Sequence, residues 1–157
     1  MSDLIDIAVA ALRELEWEYK RVEQFPVVSV AVEAPNGAID LFVHAHADTE
    51  RLLVYLRPQG LQIENRQLPA MADFLTRANY GLPLGNFELD MNDGELNFKN
   101  SVDVRGGTLT VAMVKTLMLF GIESMNRYLP GMRAVLQGTQ PQQAIEAIDG
   151  PTKVLIA

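Results

Sequence analysis

The sequence of 157 residues contains no cysteine, which removes disulfides, thiolate nucleophiles and cysteine-ligated metals from consideration. It has two histidines, one tryptophan and 7% aromatic residues, so any imidazole chemistry must come from a single pair of side chains. Positive charge is scarce too. Thirteen Lys and Arg stand against 20 Asp and Glu, a formal net charge of −7, which weighs against attraction to nucleic acid phosphates or an anionic membrane. The longest apolar-rich stretch, 109–122, is interrupted by Lys115 and is shorter than the ~20 residues a membrane span needs. The opening Met-Ser-Asp has neither a basic flank nor an unbroken apolar run after it, so a secretory leader is not expected and a cytoplasmic location is. There is no repeat, low-complexity tract or interdomain linker. With 48% hydrophobic and 21% charged residues, one globular domain over 1–157 is the expectation.

The organising stretch is 78–99. Gly81 suits the left-handed stop of a helix, and Pro83 prevents the helix resuming. Phe87, Leu89 and Met91 then alternate with Asn86, Glu88 and Asp90, a period of two with one apolar face. Asn92-Asp93-Gly94 turns the chain, and Leu96 and Phe98 restore the apolar face on the return. This is a hairpin.

Around it the chain is read in order. Leu4, Ala8, Ala11, Leu12, Leu15 and Tyr19 predict a first helix over 3–22 with Ser2 as its cap. Three alternating runs between Val27 and Arg57, divided by Pro35-Asn36-Gly37 and Asp48-Thr49-Glu50, predict an antiparallel meander. Pro69 suits the first turn of a second helix whose inward stripe is Met71, Phe74, Leu75 and Ala78. After the hairpin, a long helix follows Thr108, with apolar residues over nearly its whole circumference. Pro130-Gly131 is expected to kink or divide it, and Pro141 to open a short last helix through Ile148. Val154-Leu155-Ile156 is an apolar tail with no evident partner. The expected fold is α+β: a five-stranded antiparallel sheet with helices on one face, in the order α-βββ-α-ββ-α-α. The other sheet face is then wet, or covered by a second subunit.

The runs Phe74-Leu75-Thr76-Arg77-Ala78-Asn79-Tyr80-Gly81, Gly85-Asn86-Phe87-Glu88-Leu89-Asp90 and Asp93-Gly94-Glu95, with Arg127-Tyr128-Leu129-Pro130-Gly131, resemble the YbjN-type domain. This is a bacterial family labelled as sensory transduction regulators and common in cyanobacteria. The resemblance extends from the first helix to Ile148. Asn100 stands where Thr is usual, and Asn126 where Asp is usual. The resemblance implies the fold of type III secretion chaperones, small acidic homodimers that bind extended segments of partner proteins. It implies no enzymatic activity, so it supplies no catalytic residues.

Several motifs invite chemistry. His44 and His46 share a strand face, and with Asp48 they begin an H-x-H-x-D pattern of metallohydrolases. The His that such a pattern needs next is here Thr49. A metal-binding or hydrolytic role for His44, His46 and Asp48 is therefore the alternative to ordinary outward-facing residues. The segment 90–95 is one residue too short to be a calcium loop. Glu88, Asp90, Asp93 and Glu95 lie on an exposed hairpin that gives no desolvation to separate their pKa values. The leading expectation is a non-enzymatic homodimer that binds another protein, without cofactor, metal, nucleic acid or membrane. Its interface candidates are Met113, Leu117, Met118, Phe120 and Met125 on the over-apolar helix, with Phe42 on the sheet.

Overall fold

In the computed structural model, which describes residues 3–151, the first helix is α1 (Leu4–Glu14), burying Ile5, Ala8, Val9, Ala11 and Leu12. The anticipated Ser2 cap and the 154–156 tail lie outside the described residues. α1 stops eight residues before the predicted end. Glu16 takes a positive φ of 57°, and the N–H groups of Glu16 and Trp17 reach back to Arg13 O and Leu12 O, both at 3.0 Å. That bond pair closes a helix in the way glycine usually does.

The released chain forms a short strand, β1 (Lys20–Arg21), pairing Lys20 with Ser29 and Arg21 with Val28. The sheet therefore has six strands, not the five expected, in the order β1-β2-β3-β4-β6-β5. Two residues are too few to show an alternation, so this strand carries no periodic signal.

β2 (Val27–Ala34), β3 (Gly37–His46) and β4 (Arg51–Pro58) form the predicted meander. Register pairs Val28 with Val43 and Leu41 with Leu56. Alternation then puts Val28, Leu41, Val43, Val54 and Leu56 on one face, where all are buried. β5 (Asn86–Leu89) and β6 (Leu96–Asp103) make the hairpin. β6 lies against β4 and leaves β5 at the edge. α1 and α3 (Val111–Leu136) cover the apolar face, α2 (Leu68–Asn79) packs on β5 and α3, and α4 (Pro141–Asp149) packs on α2 and α3. No helix among the described residues is long and apolar enough to cross a membrane.

α3 is capped by the Thr110 hydroxyl, which accepts from the Met113 N–H at 3.1 Å. Two glycines let it approach its neighbours. A Cβ at Gly121 would collide with Leu56, and one at Gly131 would sit 2.5 Å from Phe74 Cζ and 2.7 Å from Ile148 Cδ1. The expected break at Pro130 does not occur, because α3 runs unbroken to Leu136. Proline lacks the N–H that would pair with the carbonyl four residues back, here Asn126. The side chain of Asn36, in the β2–β3 turn, supplies the missing donor: its Nδ2 lies 2.9 Å from Asn126 O. In return, Asn126 Oδ1 accepts from the Asn36 backbone N–H at 2.8 Å. The second bond needs only an acceptor, so Asn in place of the usual Asp retains it.

Replacing Asn36 by Ala leaves the Asn126 carbonyl without its donor, with an expected cost of ~1–3 kcal/mol in urea unfolding. In a Pro130→Ala background the helix recovers its own N–H, and the cost of Asn36→Ala should shrink. An equal penalty in both backgrounds counts against this account.

Candidate functional site

The same alternation that sends aliphatic residues inward sends Phe42, His44, Leu53, Tyr55, Arg57, Asn97 and Lys99 to the face without helices. Cross-strand register seats Phe42 opposite Tyr55, His44 opposite Leu53 and Tyr55 opposite Lys99. The turn before β2 rises at one side of this face. Its backbone is pinned: the Val22 N–H donates to Val27 O at 3.0 Å, the Val27 N–H to Phe25 O at 2.8 Å, and the Ala45 N–H to Pro26 O at 2.9 Å. The pinned turn holds the Phe25 side chain 66% exposed. Between turn and sheet lies a groove of ≈ 810 Å³ whose walls include Phe25, Phe42, His44, Tyr55, Glu95 and Asn97.

Its polar wall is internally satisfied. Arg57 donates from Nη2 to Glu95 Oε1 at 2.8 Å and from Nε to Asn97 Oδ1 at 3.1 Å, and Asn97 Nδ2 donates to Glu95 Oε1 at 3.0 Å. Lys99 pairs with Glu88 at 2.8 Å, and this hydrogen bond holds the ammonium pKa above its ordinary value. The His44 ring meets Tyr55 edge-on, with centroids 5.1 Å apart. Burial, and secondarily the charge of His46, lowers the His44 pKa, so the groove carries neutral imidazole at pH 7.

The H-x-H-x-D residues do not assemble into a metal site. The rings of His44 and His46 stack at 6.4 Å, while Asp48 lies exposed in the turn after β3. Among the described residues no three His, Asp or Glu side chains come together as a metal ion requires. On the hairpin turn, Asp90 and Asp93 accept from the backbone N–H groups of Asn92 and Glu95 at 2.8 and 2.9 Å. Those carboxylates shape the turn.

Of the anticipated interface residues, Met118 and Met125 are fully enclosed within the subunit and Leu117 nearly so. Met113 and Phe120 are partly covered, and Phe42 lies on the uncovered sheet face. The sequence reading counted Leu119 in the apolar circumference of the long helix but not among the interface candidates, though it is 43% exposed on α3, and it passed over Phe25 and Tyr55. Phe25 had a legible signal, an aromatic set in a turn beside proline.

Apart from Glu88 and Glu95, which line the groove, the residues that carried the family resemblance serve the scaffold. Arg127 and Tyr128 both donate to Asp149 at the end of α4, at 2.8 and 2.9 Å for the shortest bonds. Asp149 is 6% exposed. Burial, then the Asp149 hydrogen bond, pushes the Tyr128 phenol up to about 12. Asn79 grips β5 like a neighbouring strand, accepting from the Phe87 N–H at 2.6 Å and donating to its carbonyl at 3.0 Å. Asn100 is buried facing α3 and donates to Leu117 O at 3.3 Å.

A six-stranded antiparallel sheet with every helix on one face is the type III secretion chaperone-like fold. The structure of the HopA1–SchA chaperone–effector complex matches with a TM-score of 0.51 and 18% identity, over 85% of this chain and 92% of that one. The ExsC–ExsE complex matches at 0.50 and 15% identity, over 82% and 97%. YbjN from E. coli matches at 0.61 and 15% identity, over 85% and 92%. No curated protein sequence matches the chain. Residues 6–134 match the model of the YbjN family, described as "Putative bacterial sensory transduction regulator". The chain belongs to the YbjN family. The expectation of a non-enzymatic protein accords with that description, which is of a regulator.

His44 binds its proton less readily in the folded chain than in the unfolded one, whose value is 6.5. The unfolded chain therefore takes up more protons in mild acid, and the stability present above pH ~6.5 is lost as pH falls toward the lowered pKa. Thermal melts from pH 7.5 to 5 should show a smaller acid-side loss for His44→Gln than for the parent. Parallel curves for the two would contradict the burial of His44.

Proposed function

We propose that the chain is a non-catalytic module that works as a homodimer and holds an extended segment of another protein on the uncovered face of its sheet. The observation that carries this reading is the pinned turn that presents Phe25 beside the Phe42–Tyr55 row. An aromatic groove left open to water is a surface that association would cover. Its backbone is fixed before any partner arrives, so little ordering cost falls on this side of the complex. The fold shared with chaperone–effector structures supports the reading, and a cytoplasmic setting goes with it.

Dimerisation belongs on the opposite side of the molecule. Leu119, with the partly covered Met113 and Phe120, forms the apolar strip of α3 left over once Leu117, Met118 and Met125 have filled the interior. Leu119→Asp should convert a dimer to a folded monomer in light scattering, with unchanged far-ultraviolet circular dichroism. A parent already monomeric at micromolar concentration, or an undisturbed dimer in the variant, counts against the strip.

The docking face is tested separately by placing the photo-crosslinker p-benzoylphenylalanine at position 42 and, as a control, at Gln143 on α4. Irradiation in the source cell should trap polypeptide from position 42 and much less from 143. Equal trapping, or none at 42, would remove the support for a docking face.

A further inference from the structure

The groove does not end at Phe42. A second concavity of ≈ 450 Å³ adjoins it, with Phe42 lining both, and the two differ in character. The first is walled by Phe25, Phe42, His44 and Tyr55, and its charged residues Arg57 and Glu95 already satisfy each other. The second lies over β2 and β3 and carries Glu18, Tyr19, Lys20 and Asp40. Asp40 accepts one hydrogen bond, at 2.7 Å, from the neutral amide of Gln59, and Glu18 is exposed. Two carboxylates thus face one ammonium, with the rings of Tyr19 and Phe42 beside them.

We infer that this trough recognises a basic–apolar segment: an apolar or aromatic anchor in the basin of Phe25, Phe42 and Tyr55, and a lysine or arginine on the adjoining basin of Glu18 and Asp40. The inference rests on the docking reading above and adds the chemistry of the partner. An apolar side chain seated against the aromatic walls takes no partner from Arg57, Glu95 or Asn97, which are satisfied among themselves. A cation over the second basin gains the carboxylates and the negative faces of the rings together. The net charge of −7 favours the same partner at longer range. An acidic segment meets like charge at the second basin and is disfavoured there.

The probes are three fluorescein-labelled peptides of nine residues. One has a central Phe with Lys two and four residues on, the second has Glu for Lys, and the third has Ser for Phe. Fluorescence anisotropy at low and moderate salt is read on the full chain and on Phe42→Ser, Phe25→Ser, Asp40→Asn and Gln143→Ser. The Phe/Lys peptide should bind at least tenfold more tightly than either of the others. Phe25→Ser and Phe42→Ser should each weaken it about tenfold, and Asp40→Asn several-fold with a shallower salt dependence. Gln143→Ser, on α4 and away from both the trough and the α3 strip, should change nothing. Phe25 lies in an exposed turn, so its variant remains informative if Phe42→Ser fails to fold.

Equal binding of the Phe/Lys and Phe/Glu peptides, lost in Phe25→Ser, would overturn the basic preference and leave the docking face standing. Equal binding of the Phe/Lys and Ser/Lys peptides, indifferent to Phe25, would reduce the effect to net charge and overturn the inference. Binding of none of the three would overturn both.

Discussion

Everything else in the molecule depends on α3 running unbroken beneath the sheet and against the three other helices at once. It achieves this by subtraction. Gly121 and Gly131 withhold side chains where Leu56 and Phe74 pass closest, and such gaps in a helix cost ~1 kcal/mol each relative to alanine. Pro130 withholds a backbone donor, and Asn36 returns it from a turn 90 residues away in sequence. The packed layer is therefore set by where the helix has less than a helix normally has. Interiors filled to crystal-like density tolerate little else.

A consequence of this arrangement is its one-sidedness. The helices saturate one face of the sheet so fully that Met118 and Met125 of α3 are enclosed and only its outward side, with Leu119, is left for a partner, while the reverse face keeps Phe42, Tyr55 and His44 half-covered beneath an aromatic turn. The motif residues Arg127, Tyr128 and Asn79 serve the packed side, holding α4 and β5 in place. Family membership therefore speaks mainly to the scaffold, and the functional reading comes from the open face, to which the motif contributes Glu88 and Glu95.

The meander, the hairpin and four helices were legible because each carries a repeat of hydrophobicity matched to its geometry, reinforced in all but the first helix by Pro or Gly near its ends. The overlong first helix had no such punctuation. Glu16 enters the left-handed region in place of the expected glycine, and Leu15 and Tyr19 continue a helical spacing that the chain has already abandoned. The sixth strand was invisible for the same reason: it exists only because the chain turns at Glu16. Pro130 misled in the opposite direction, since its rescue comes from Asn36, a long-range contact that no local window contains. Of the candidate surface, Phe42 was identified by strand alternation, whereas the groove needed Phe25 and Tyr55 brought together by the turn and the register. The excess apolarity of α3 was visible. How much of it the interior would consume could be seen only once Gly121 and Gly131 were packed.

The Asn36 latch also sets how the protein ages. Asn36 is followed by Gly37, the neighbour that least hinders an asparagine from cyclising to a succinimide and hydrolysing to aspartate or isoaspartate. In the folded chain the amide is engaged by Asn126, which restrains that ring closure. Should it occur during a local opening, the product would turn a carboxylate toward a carbonyl that needed a donor. The proline in α3 would be left unrepaired, and the damage would fall on the element that holds the layers together.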